Sequence, residues 1–115
     1  MALTRPIQIK ISRQCYLAYR KISKQLTVAM AIEYCVGEYL HKVPRAEKKI
    51  TKSRNIRGMY CTTVRLKQNI YADLVDYAKQ NNYTVNMLIR RVLFMELDRR
   101  FEPWELVAIE RAGEQ

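Results

Sequence analysis

The chain has 115 residues, 21 Lys and Arg against 11 Asp and Glu for a formal charge of +10, and 49% hydrophobic residues. That length holds one compact domain or two very small ones, and that hydrophobic fraction excludes disorder throughout. No apolar run approaches the roughly 18–20 residues of a membrane span, the opening MALTRPIQIK lacks the apolar core of a signal peptide, and the single His41 removes every zinc or catalytic motif that needs two.

In chain order, the first signal is Pro6-Ile-Gln-Ile-Lys-Ile11, where apolar and polar residues alternate as in a half-buried strand. Ser12 is a good N-cap for the helix that follows, whose apolar face is Cys15, Tyr19, Ile22 and Ser23. After a break at Lys24-Gln25-Leu26, Thr27 opens a second helix with Ile32, Cys35, Val36, Tyr39 and Leu40 on one side. Gly37 sits inside that helix at a cost of about 1 kcal/mol relative to Ala, so a close helix crossing is expected there. Residues 41–60 form a basic linker, in which Pro44 stops the helix and Gly58 permits a turn.

The pattern then returns. Thr62-Thr-Val-Arg-Leu-Lys67 alternates with Val64 and Leu66 inward, and Asn69 is placed to cap a helix with Ile70, Leu74, Tyr77 and Ala78 on its apolar face. A break at Lys79–Tyr83 precedes Thr84 as the next cap, and Leu88, Ile89, Val92, Leu93 and Leu97 line the helix beyond it. Residues 101–115 carry four Glu, one Arg and the only Trp; Pro103 starts a short helix with Trp104, Val107 and Ala108 on one side, a face expected to dock on the core, with a partner patch as the alternative.

Strand, helix, helix therefore occurs twice, in residues 6–40 and 61–100. A unit of about 35 residues cannot bury its apolar faces alone, and its short strand has unpaired edges. Two units solve both problems if the strands pair into an antiparallel ribbon and the four helices pack beneath it. The linker, at about 3.3 Å per residue extended, is long enough to let one chain do what two usually do. The expected fold is mainly α with a two-stranded antiparallel β-ribbon: an intramolecular pseudo-dimer, monomeric, with residues 101–115 as a C-terminal tail.

Thr63-Val-Arg-Leu66, Ile70, Leu74, Ala78, Thr84-Val-Asn86 and Ile89 resemble the ribbon-helix-helix (Arc/MetJ-type) DNA-binding pattern, in which an apolar-basic-apolar triplet ends a strand and a Ser or Thr opens the second helix. The first half matches more loosely, with a shorter turn and Ser23 where a small apolar residue is expected. Two such units in one chain, together with Asn55-Ile-Arg-Gly58, are similar to the TraY relaxosome accessory proteins of conjugative plasmids. That resemblance implies binding of double-stranded DNA near a plasmid transfer origin, with a relaxase and other relaxosome proteins as partners.

Charge placement agrees with a polyanionic partner. Residues 1–72 hold 15 Lys and Arg against three acids, a local net of +12, and the remainder has a net of −2. With the isoleucines inward, Gln8 and Lys10 point outward; with Thr62, Val64 and Leu66 inward, so do Cys61, Thr63 and Arg65. These match the base-reading strand positions of the family. Arg65 and Lys10 suit guanine O6 and N7, Gln8 suits an adenine edge, and Thr63 contacts either. Polar residues on any solvated sheet face follow the same alternation, so the pattern alone leaves that plainer reading open.

The helix starts at Thr27 and Val28, and at Thr84, Val85 and Asn86, offer free amides and a positive dipole end to phosphates on either side of a groove. Lys42, Arg45, Lys48, Lys49, Lys52, Arg54 and Arg57 either add phosphate contacts or keep the linker solvated. Cys15, Cys35 and Cys61 have no metal or redox spacing, and the first two read as packing residues. No nucleophile–base pair, glycine-rich phosphate loop or metal cluster appears, so neither an enzyme nor a cofactor is expected. A ribbon-helix-helix repressor or antitoxin is the nearest alternative function. An RNA-binding or protein-interaction module is a more distant one, because clustered exposed aromatics are lacking. The expected location is cytoplasmic, with no membrane partner.

Overall fold

The computed structural model describes residues 3–48 and 59–113, and Asn55–Gly58, Lys49, Lys52, Arg54 and Arg57 lie outside them. Among the described residues there are two strands, β1 (Thr4–Ser12) and β2 (Met59–Lys67), and five α-helices. The helices are α1 (Arg13–Ile22), α2 (Val28–Tyr39), α3 (Gln68–Asn81), α4 (Val85–Arg100) and α5 (Pro103–Gly113). The chain is mostly helical with one two-stranded antiparallel sheet, and no helix among the described residues is long and apolar enough to cross a membrane.

The strands pair from Thr4↔Lys67 to Ser12↔Met59. Both run past the alternating segments because each supplies the other's ladder hydrogen bonds, which side-chain pattern does not encode. Ile9, Ile11, Val64 and Leu66 are buried on one face and Ile7 packs at its margin. An isolated two-stranded ribbon is at best marginally stable. Here that apolar face lies on the helices, each fully buried Ile or Leu contributing about 1.5–3 kcal/mol over an exposed one.

Burial repeats along the chain. Ile9 and Ile11 correspond to Val64 and Leu66, 55 positions later. Ala31, Ile32, Cys35, Val36 and Leu40 correspond to Leu88, Ile89, Val92, Leu93 and Leu97, 57 positions later, and all ten are buried. Two aromatic contacts repeat as well: the Arg5 guanidinium lies 4.5 Å from the Tyr71 ring centre, and at the matching positions Tyr60 stacks on Tyr16 at 4.3 Å. The first helices differ. α1 buries Cys15 and Ala18 and ends at Ile22, whereas α3 is four residues longer and buries Leu74 and Ala78. Ser23, expected on the apolar face, is instead the exposed C-cap of α1.

Three caps fall where the residue types place them. Ser12, Thr27 and Thr84 accept hydrogen bonds from the amides of Cys15, Met30 and Met87 at 3.1, 3.1 and 3.2 Å. Asn69 does not cap α3. The Leu3 carbonyl takes the Gln68 amide at 2.9 Å, so pairing runs up to the helix and the cap position falls on Lys67, which makes no side-chain cap bond. α3 ends at Asn82, whose φ of 66° is left-handed and suits Asn better than most residues.

Two other expectations are corrected. An ideal Cβ on Gly37 meets nothing within 4 Å, so no helix crosses there. α5 docks on α1 through Leu106 and Ile109, not through Trp104, Val107 and Ala108. Gln14 Nε2 bonds Glu110 Oε2 at 3.1 Å and an Arg13 Nη bonds the Gly113 carbonyl at 2.9 Å, which fixes the helix with Trp104 71% exposed. Phe101, whose amide donates to the Leu97 carbonyl at 2.8 Å, and Glu102, whose carbonyl accepts from the Glu105 and Leu106 amides at 2.9 and 3.3 Å, set the corner between α4 and α5.

Candidate nucleic-acid interface

In an antiparallel pair, residues opposite each other share a face. Gln8 stands opposite Thr63, Lys10 opposite Cys61, and Arg65 opposite Pro6. All five sequence-selected residues therefore lie on the ribbon face away from the helices. Gln8, Cys61, Thr63 and Arg65 are exposed and Lys10 is half-buried. Arg65 Nε donates to Thr4 Oγ1 at 3.0 Å, which holds the guanidinium along the ribbon. Its planar fork then presents the two Nη groups in one orientation, as bidentate pairing with a guanine edge requires.

α4 packs against β1 and α2 against β2, one on each side of the ribbon. Thr27 and Thr84 cap α2 and α4, and Val28 and Val85 pack half-buried against the core. α4 is fixed beside β1 by Asn86. Its Oδ1 accepts from the Lys10 amide at 3.1 Å and its Nδ2 donates to the Gln8 carbonyl at 3.2 Å. An Arg90 Nη donates to the Lys10 carbonyl at 3.3 Å, and its other Nη lies 2.6 Å from Met87 Sδ. Burial lowers the Arg90 pKa from its usual value, although a guanidinium keeps its charge in such a setting.

Asn86 thus occupies a position sequence reasoning reserved for phosphate, but its side chain covers the open edge of β1. Thr4, Asn86 and Arg90 take these roles without a local sequence signal for them. The four-residue spacing of Asn86 and Arg90 puts them on one face of α4, yet nothing local reveals that this face meets β1.

The three cysteines differ sharply. Burial pushes the Cys15 thiol up to about 12, and it pushes Cys35 up to about 11 against a lowering hydrogen bond with Tyr19. Both are buried, as expected of packing residues, whereas Cys61 is exposed on the ribbon face. Among the described residues, no group of three or more His, Cys, Asp or Glu is placed to hold a metal ion. Comparison with protein-family models, curated proteins and solved structures finds no match.

Proposed function

We propose that this chain is a sequence-specific binder of double-stranded DNA, built from two ribbon-helix-helix units that fold as an intramolecular pseudo-dimer. The reading rests above all on the outward ribbon face, which gathers Gln8, Lys10, Cys61, Thr63 and Arg65 on a strand pair of nine residues each. A two-stranded ribbon fits a major groove about 12 Å wide, and these side chain types match base edges there. The capped starts of α2 and α4 stand beside it, where the groove's phosphates run. The repeated burial pattern supports the tandem organisation.

Gln8 and Lys10 differ from Thr63 and Arg65, so the two strands read different half-sites and the target is asymmetric. Following the sequence resemblance, the role is that of a relaxosome accessory factor at a plasmid transfer origin. The test is selection from random 30-base-pair duplexes at physiological salt. Enrichment of a short asymmetric motif is expected, and its location at a transfer origin or at a promoter separates accessory factor from repressor. Arg65→Ala should weaken binding to the selected site by about 1–3 kcal/mol while leaving nonspecific binding much less affected. Retention of DNA without enrichment, or equal losses on both DNA types, would remove the base-reading role.

A further inference from the structure

The elements beside the two ribbon edges come from matching positions of the repeat, but their charges are opposite. Asn86, Arg90 and Arg91 on α4 correspond, 57 positions earlier, to Ala29, Glu33 and Tyr34 on α2. Glu33 lies next to β2, where its carboxylate is 3.9 Å from Lys67 Nζ. On the α4 side, Arg90 and Arg91 line an open groove with Arg45, and no carboxylate lines it.

Arg45 is not on a loosely tethered stretch. The Ala46 amide donates to the Asn81 carbonyl at 3.0 Å, Asn82 Nδ2 donates to the Ala46 carbonyl at 3.0 Å, and the Tyr83 hydroxyl donates to the Pro44 carbonyl. Val43, just before, is buried and its carbonyl accepts from the Tyr77 hydroxyl at 2.5 Å. These bonds hold Arg45 at the corner between α3 and α4. None of the three arginines is ion-paired among the described residues. The Arg90 bond to the Lys10 carbonyl joins the groove to the ribbon itself.

From this we infer that the groove of Arg45, Arg90 and Arg91 is a phosphate clamp acting on one flank only, gripping the DNA backbone beside β1 with no counterpart beside β2. The inference rests on the DNA-binding reading and adds a direction to it. Three guanidinium groups around one concavity suit phosphate oxygens, to which they donate in pairs. Met87 and Phe94 in the same groove give their stems apolar surface to lie along. On the opposite flank the Glu33 carboxylate lies against Lys67 and offsets its charge. Phosphate contacts therefore extend further on the α4 side, and binding there is the more salt-sensitive.

The experiment uses the full chain and a duplex carrying its selected site, with affinity measured across a salt series and ethylation interference to map phosphates. Arg45 and Arg91 are both exposed, so the Arg45→Ala/Arg91→Ala double variant should fold normally, which a thermal melt checks. Arg90 is left intact because it also holds the ribbon edge. The double variant should lose about two units of salt slope, near 0.9 for each phosphate contact released, and keep the same base preference. Interference on the α4 flank should shrink, and Glu33→Gln should tighten binding most at low salt. An unchanged slope, or equal interference on both flanks in the parent, overturns the clamp while leaving ribbon recognition standing. Failure of the parent chain to select any duplex would overturn the DNA reading itself.

Discussion

Glu96 is the one charged side chain buried among the described residues, at 2% exposure. Burial alone would raise its pKa. Hydrogen bonds from the Tyr39 hydroxyl, from Arg99 at 2.8 Å and from Arg100 at 2.5 Å outweigh that and hold the carboxyl below its usual range. Tyr39 in turn accepts from Arg99 Nε at 3.1 Å, so the end of α2 is tied to the end of α4. A carboxyl with a depressed native pKa stabilises the fold above its unfolded pKa, near 4.3, and that contribution is lost as pH falls through the native value. Glu96→Gln should therefore cost about 1–3 kcal/mol at neutral pH, with the gap to the parent closing below about pH 4. Urea denaturation at both pH values measures this, and an equal gap at each would show that the ionised form is not what matters. Gly37 gives the opposite sign. With open space around its Cβ position, Gly37→Ala should stabilise the chain by about 0.5–1 kcal/mol. A lower melting temperature would mean that α2 needs its glycine for a contact outside this chain.

At the scale of elements, the two strand edges are treated differently. Asn86 stands in for a neighbouring strand along β1, accepting from one residue and donating to the residue two before it. Such a cover removes a pairing surface that would otherwise invite another chain. Asn86→Ala should cost about 1–2 kcal/mol, and the Lys10 amide should lose protection in hydrogen exchange. Unchanged protection would mean that Arg90 alone keeps α4 against the strand. Ala29, 57 positions earlier on α2, is the matching residue, and its methyl group makes no such bonds.

The whole molecule puts both strands and the α2–α4 contact within one chain. If the two halves serve as each other's partner, folding does not draw on a second molecule. The melting temperature should then be constant over a roughly hundredfold range of protein concentration, with the chain sedimenting as a monomer without DNA. A melting temperature that climbs with concentration would favour an obligate dimer and exchange of halves between chains. The proposed asymmetric target belongs to this scale too, because a symmetric dimer would present the same outward residues twice.

Sequence determined which side of each element is apolar. Ile9 and Ile11, Val64 and Leu66, and the Ile32 and Ile89 faces were legible because side-chain period is a local property of strand and helix. Ser12, Thr27 and Thr84 were legible as caps because a hydroxyl there reaches an amide three residues on. The outward placement of Gln8, Lys10, Cys61, Thr63 and Arg65 followed from the same alternation. Register was not legible: pairing reaches Thr4 and Met59 only because the opposite strand offers ladder partners, and the same ladder displaced the cap from Asn69. Nor was the side on which α5 docks, since Trp104 and Leu106 are both apolar and the corner at Phe101 chooses between them. The β1 cover by Asn86, the carboxylate held by Tyr39, Arg99 and Arg100, and the groove of Arg45 and Arg91 each join residues distant in sequence. Only tertiary packing decides such meetings, because periodicity says which face is buried and not what lies against it.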